Sequence, residues 1–257
     1  MDKTIINRNF SRSAGSYNEN AFVQSACAGI LAGYLAGRDH DRILEIGCGT
    51  GAYTRELRRL FPKAAITALD MSPDMLRAAA GDMVGEGIEF IERDCEQYDD
   101  MVGFGLMTSN AAIHWLSDPV GAIRKLVPLV SPGGDICFSI YGPETFTELR
   151  DTVKECLGEE RDIASSRFMS GGTIKEVLIG YFDLVEMEKR EFAIEFPSLF
   201  ELMRNIKRTG TRGAGISGVR TLDRGMIRKM EKTMIRRYGR VIASHHVYFL
   251  NARGRRA

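Results

Sequence analysis

The stretch Ile43-Leu44-Glu45-Ile46-Gly47-Cys48-Gly49-Thr50-Gly51 decides how this 257-residue chain is read. It is a short apolar strand with one acid near its end, followed by three alternating glycines. Gly47, Gly49 and Gly51 let the backbone turn tightly and approach a ligand closely, and residues 53–61 continue with helical apolar spacing. Strand, glycine turn and helix in that order form a nucleotide-type pocket, although such turns also serve dinucleotide folds and plain chain reversals.

Downstream residues narrow the choice. Residues 64–69 read as a second strand ending in Asp70, and Met71-Ser72-Pro73 opens the next helix at Asp74. Asp70 lies 23 residues beyond Gly47, so it either accepts hydrogen bonds from both ribose hydroxyls or caps the helix. Residues 88–91 form a third strand with Asp94 and Cys95 just past its end; an acid there meets an adenine amine or simply faces solvent. Residues 102–108 form a fourth strand that runs into Ser109-Asn110-Ala111-Ala112-Ile113-His114-Trp115, placing polar groups at a strand's carboxyl end, where open parallel sheets bind ligands. A helix from Asp118 and Pro119 to Leu129, a turn at Ser131-Pro132-Gly133-Gly134 and a fifth strand over 136–140 complete an alternating series.

That alternation predicts an α/β fold: a Rossmann-like, seven-stranded, mostly parallel sheet with helices on both faces and an antiparallel final strand. One domain over 1–257 is expected. Residues 1–38 would form an N-terminal helical lid, 39–141 the cofactor-binding half, and 142–181 with 197–237 a helical cap. Residues 7–17 read as polar and irregular, ahead of an amphipathic helix over 19–35. Phe10, Tyr17 and Gln24 lie in or beside this arm, as ordinary packing or as an aromatic cover. Later helices are expected over 144–157, 173–181, 197–207 and 222–237, a glycine-rich loop over 209–218, and strands over 182–196 and 240–251.

Composition sets the outer bounds. Hydrophobic residues make up 44% and charged residues 27%, enough for one large core. Five cysteines without metal-like spacing predict free thiols, no zinc and a reducing, cytoplasmic setting. No basic-then-apolar leader opens the sequence, and no membrane span is expected. The net charge of +1 divides unevenly, because residues 201–257 carry fifteen Lys and Arg against Glu201, Asp223 and Glu231, a balance of +12 against −11 for the remainder. Such a tail is a solvated face or a surface for an acidic protein or nucleic acid. Nucleic acid is disfavoured, since no aromatic residues interleave the basic segment before Tyr238.

Glu45, Asp70 and Asp94 follow three successive strands, and the glycines are spaced G-x-G-x-G instead of the dinucleotide G-x-G-x-x-G. Acids suit a cationic, phosphate-free ligand better than a pyrophosphate, and S-adenosylmethionine fits that description. The glycine turn, Asp70-Met71-Ser72-Pro73-Asp74-Met75-Leu76 and Pro132-Gly133-Gly134 resemble the motifs of class I S-adenosylmethionine-dependent methyltransferases. The resemblance implies that Gly47, Cys48, Gly49 and Gly51, with Glu45, hold the methionyl end. It further implies Asp70 at the ribose, Asp94 and the Cys95 backbone at the adenine, and Tyr17, Gln24, Met71 and Asn110 as further cofactor contacts, with S-adenosylhomocysteine as product.

The resemblance extends over nearly the whole chain to the malonyl-[acyl-carrier-protein] O-methyltransferases of biotin synthesis. Phe10-Ser11-Arg12-Ser13-Ala14, Tyr17, Ala21 and Gln24 look like that family's opening, and Ser109 to Trp115 is similar to its fourth-strand segment, although His114 stands where Gln is common. Residues 142–150, Ser166-Arg167-Phe168, Ile206-Lys207-Arg208-Thr209-Gly210, Tyr238-Gly239-Arg240 and residues 246–250 continue the match; Thr211 departs from a frequent Ala. The implied reaction caps the free carboxylate of a malonyl thioester as its methyl ester. A carboxylate of pKa about 4 is already ionised at neutral pH, so no general base is expected and neither His114 nor His245 is assigned as one. Arg150 is the candidate carboxylate fork, with His114, Trp115, Tyr141, Lys207 and Arg208 as further substrate contacts. Arg204, Lys207, Arg208, Arg212 and Arg220 would dock an acidic acyl carrier protein, with malonyl-coenzyme A as a second possible substrate. Competing readings are a methyltransferase for a small free acid such as trans-aconitate and an RNA-binding protein of the same fold.

Overall fold

The chain was examined as a computed structural model that describes residues 2–81, 83–100, 103–213, 215–219 and 221–257. Strands β1 (Arg42–Ile46), β2 (Ala65–Asp70), β3 (Ile88–Glu92), β4 (Phe104–Asn110), β5 (Val130–Tyr141), β6 (Phe182–Glu195) and β7 (Ile242–Arg255) form one sheet in the order β3-β2-β1-β4-β5-β7-β6. Pairings from β3 through β5 are parallel, whereas β7 runs antiparallel to both neighbours. The order reverses at β1, so β1 and β4 leave a crevice at their carboxyl ends, where the glycine turn and Asn110 lie.

Helices cover both faces. Helices α3 (Phe22–Leu35) and α4 (Ala52–Leu60) bury Leu31, Leu35 and Leu57 against Ile43, Ile66 and Leu106 on one side. On the other, α6 (Pro119–Leu126) and α8 (Gly171–Ile179) bury Ile123, Leu126, Ile174 and Leu178 against Leu44, Phe138 and Leu250. Alternate residues of β1 thus enter opposite cores, as the two-residue period of a strand requires. A third cluster joins α7 (Thr147–Leu157), α9 (Leu199–Arg208) and α10 (Arg224–Tyr238) through Val153, Leu202, Met230 and Met234. α5 (Pro73–Gly81) follows β2.

Several expectations are corrected. The stretch 7–17 is helical: α1 (Lys3–Ser13) starts where the Asp2 side chain accepts from the Ile5 N–H, and Ile6 is buried. The helix expected over 19–35 is two, α2 (Tyr17–Asn20) and α3, because Ala21 leaves helical geometry at ψ 48°. Ser131 to Gly134 lie within β5, where the pairing with β4 jumps from Phe104 opposite Val130 to Leu106 opposite Asp135, so the sequence's turn residues form a bulge. Val102, the expected start of β4, lies outside the described residues, and the strand extends to Asn110. No helix among the described residues is long and apolar enough to cross a membrane.

Candidate active site

A first cavity opens at the crevice between β1 and β4. Gly47, Gly49, Asp70, Met71, Asp94, Cys95, Asn110 and Tyr17 all line it. Asp70 anchors the turn: one carboxylate oxygen accepts from the Gly49 N–H at 2.9 Å and the other from the Ser72 N–H at 2.8 Å. A carboxylate has about four lone-pair positions, so two remain for a ligand's hydroxyls. Burial raises the Asp70 pKa, and the backbone N–H groups of Ser72, Gly49 and Met71 oppose that rise. At Gly49, φ is +55° and a Cβ would meet no protein atom within 4 Å, so the space above this turn is open to the cavity that Gly49 lines.

The roof is α1. Lys3, Ile6 and Phe10 line the cavity, and the Lys3 ammonium pairs with both Asp94 and Glu96. Ser11 and Ser72 share a hydroxyl contact of 2.8 Å, and Asn18 accepts from the Thr50 hydroxyl at 2.5 Å. The arm therefore fastens to the turns after β1, β2 and β3. The sequence reading missed Lys3 and Ile6, since a polar segment read as irregular offers no face to assign.

A second cavity, about 320 Å³, lies beyond Trp115, whose ring lines both. Its walls come from α3, the end of β5, the 163–168 segment, α9, the 209–222 loop and α10. Most of the lining is apolar, as at Val23, Leu149, Ile206 and Met230; Arg212 is the one formally charged side chain among its described lining residues apart from neutral His245. Burial pushes His245 down to about 4. Thr209 and Gly213 secure the loop that carries Arg212: the Thr209 hydroxyl donates to the Asn205 carbonyl, and the Asn9 amide donates to the Gly213 carbonyl at 2.7 Å.

The remaining sequence candidates lie elsewhere. Gln24 lines the second cavity, and its carbonyl accepts from the Asn110 side chain at 2.9 Å. Glu45 does not line the first cavity; it is 1% exposed, one carboxylate oxygen lacks a partner, and burial lifts its pKa to about 8. The Cys48 side chain packs with Ala68 and Leu76, and a Cβ at Gly51 would collide with Ala79 and Met83. Both are packing positions, as far as their side chains go. His114 is buried behind the second cavity: its ring stacks on Tyr141 at 4.7 Å, Nδ1 accepts from the Tyr141 N–H at 3.2 Å, and burial pushes its pKa down to about 3.

Arg150 is held within its own segment. Its guanidinium donates to the Pro143 carbonyl at 3.0 Å and the Thr147 hydroxyl at 3.2 Å, so it secures the start of α7 and lines neither large cavity. Lys207 and Arg208 are exposed at the end of α9 and likewise line neither. Arg220 lies outside the described residues. Trp115 and Tyr141 do line the second cavity.

Comparison with known proteins agrees with this geometry. A family model described as a methyltransferase domain matches residues 43–134. The chain is 31% identical to malonyl-[acyl-carrier protein] O-methyltransferase 2 of Ilyobacter polytropus, over 93% of this chain and 92% of that protein. It is also 31% identical to malonyl-[acyl-carrier protein] O-methyltransferase of Acetivibrio thermocellus, over 98% of this chain and 94% of the other. Among solved structures, the YcgJ protein from Bacillus subtilis superposes with a TM-score of 0.62 at 14% identity, covering 90% of this chain and 99% of that one, a likeness of fold.

Proposed function

We propose, since the chain belongs to the methyltransferase family of its malonyl-[acyl-carrier protein] O-methyltransferase relatives, that it methylates the free carboxylate of a malonyl thioester borne on an acyl carrier protein, an early step of biotin synthesis. The observation that carries this reading is the pair of cavities meeting at Trp115, one floored by the glycine turn and Asp70, the other apolar with Arg212 in its wall.

The first cavity fits S-adenosylmethionine. Asp70 keeps lone pairs for ribose hydroxyls, Asp94 and Cys95 stand where the adenine would lie, and Gly49 leaves room for the methionyl end. When bound, that donor supplies an electrophilic methyl group on a sulfonium. The protein's part is to orient, to exclude water and to hold the acceptor.

Arg212 replaces Arg150 as the carboxylate fork in this reading, because Arg212 lines the cavity while the Arg150 guanidinium donates to backbone and hydroxyl oxygens. No side chain takes a proton from the acceptor, which is ionised before it arrives. His114 and His245, held to about 3 and about 4, are neutral and remain so. Outside the cavity, exposed Arg204, Lys207 and Arg208 on α9 form a basic edge suited to an acidic carrier protein. Arg204 also pairs with Glu201.

Mass spectrometry tests the assignment. Purified protein with S-adenosylmethionine and malonyl carrier protein should yield a carrier heavier by one methylene, with weaker turnover of malonyl-coenzyme A. Methylation of trans-aconitate with none of the malonyl carrier would replace this reading by that of a small-acid methyltransferase.

A further inference from the structure

Deep in the second cavity one polar group has no evident work within the protein. Tyr141 closes β5, lines the cavity and is 3% exposed, yet its hydroxyl has no hydrogen-bond partner. A buried hydroxyl left unpaired is destabilising, and the chain could have avoided that cost with Phe at the same position. The ring itself is well supported: it stacks on His114 at 4.7 Å and meets the His245 ring edge at 5.8 Å and 62°. Packing therefore explains the ring and leaves the oxygen unexplained.

The location supplies the explanation. The Tyr141 ring stacks on that of His114, the chain neighbour of Trp115, and Trp115 lines both cavities. Tyr141 thus stands on the second cavity's wall beside the first, where an acceptor must lie to meet a donor. Burial raises the phenol pKa well above its ordinary value, so the group is a hydrogen-bond donor throughout the working pH range. Its aromatic neighbours His114 and His245 are neutral, so no charge on the floor competes for an anion.

We infer that the Tyr141 hydroxyl donates a hydrogen bond to one oxygen of the acceptor's carboxylate, in the cavity that Arg212 also lines, and so helps fix which oxygen is presented to the donor. This rests on the reading of the chain as a carboxyl methyltransferase and names a specificity-determining residue for it. Arg212 supplies the charge that attracts the anion, and the Tyr141 hydroxyl adds a donor from the end of β5 that further restricts the carboxylate's orientation.

The test compares wild type with Y141F, which keeps both ring contacts and deletes only the oxygen. The malonyl carrier protein is the acceptor, and calorimetry with S-adenosylhomocysteine monitors the other cavity. A hydrogen bond to a charged group predicts that kcat/KM falls roughly 10- to 100-fold while the S-adenosylhomocysteine Kd stays within about twofold. Equal kcat/KM in the two proteins would overturn the inference and leave the functional reading standing, as would a loss explained by a parallel weakening of S-adenosylhomocysteine. Absence of methylated carrier from wild type itself would overturn the functional reading, and this inference with it.

Discussion

The Trp115 indole meets Phe10 edge-on, with ring centroids 5.7 Å apart and planes at 81°. One ring belongs to the α1 roof and the other to the wall that two cavities share. Since the chain has a single tryptophan, its fluorescence reports on that wall. Adding S-adenosylmethionine and then malonyl carrier protein should each shift the emission. F10A should broaden the unliganded spectrum and raise the KM for S-adenosylmethionine several-fold; a spectrum indifferent to both ligands would show that Trp115 borders neither.

Two glycines of the turn serve different masters, and alanine separates them. At Gly51, with φ +77°, a Cβ would lie 3.0 Å from Ala79 Cβ and 2.4 Å from Met83 Cε, so G51A should lower the melting temperature and destabilise by about 1–3 kcal/mol. At Gly49 a Cβ is strained by φ but meets no protein atom, so G49A should cost about 1–2 kcal/mol of stability while weakening S-adenosylmethionine binding disproportionately. Calorimetric titration beside thermal melts distinguishes the two. Equal binding losses at equal stability would remove the ligand from the space above Gly49.

Lys3 fastens the arm through Asp94 and Glu96. K3M deletes that clasp while preserving the aliphatic stem. Release of S-adenosylhomocysteine, followed by stopped-flow fluorescence, should accelerate roughly two- to tenfold in K3M, and moderate salt should produce part of the same acceleration in wild type. An unchanged release rate would mean that α1 does not gate the cavity.

Arg212 lines the second cavity and Arg150 does not, so substitutions at the two should differ. R212A should raise the KM for malonyl carrier protein by about tenfold or more, whereas R150A should mainly loosen the start of α7, with little change in KM. Steady-state kinetics on both variants decides the matter, and a larger KM effect from R150A would restore Arg150 to the site.

Stability should depend on pH through Glu45 and two histidines. Burial lifts Glu45 from 4.5 to about 8, so the folded chain retains a proton the unfolded chain has lost, and stability falls as pH rises across that window. His114 and His245 are depressed from 6.5 to about 3 and about 4; their effect is lost stability as pH falls below 6.5. Between pH 6.5 and 8 the Glu45 effect continues, above the range in which His114 and His245 act. Wild type should lose stability in denaturant titrations across that interval and E45Q should lose less. H114Q, which can still accept from the Tyr141 N–H, should keep its activity and flatten the acid side.

The sequence by itself determined the strand and helix alternation, the turn at Gly47 to Gly51, and Asp70, Asp94 and Asn110 at strand ends, because periodicity and glycine geometry are local properties. It also pointed to Trp115 within a short motif and to Tyr141 as a further substrate contact. Only tertiary structure decided which of several arginines faces a cavity, since a guanidinium's role depends on what lies across from it. Arg150 meets Pro143 and Thr147, while Arg212 sits on a loop held by Asn205 and Asn9, residues far from it or unremarkable in sequence. The arm shows the same division. Asp2 and Ile6 make α1 a helix, but Lys3 acquires its meaning from Asp94, 91 positions away, and no local pattern carries a contact of that range.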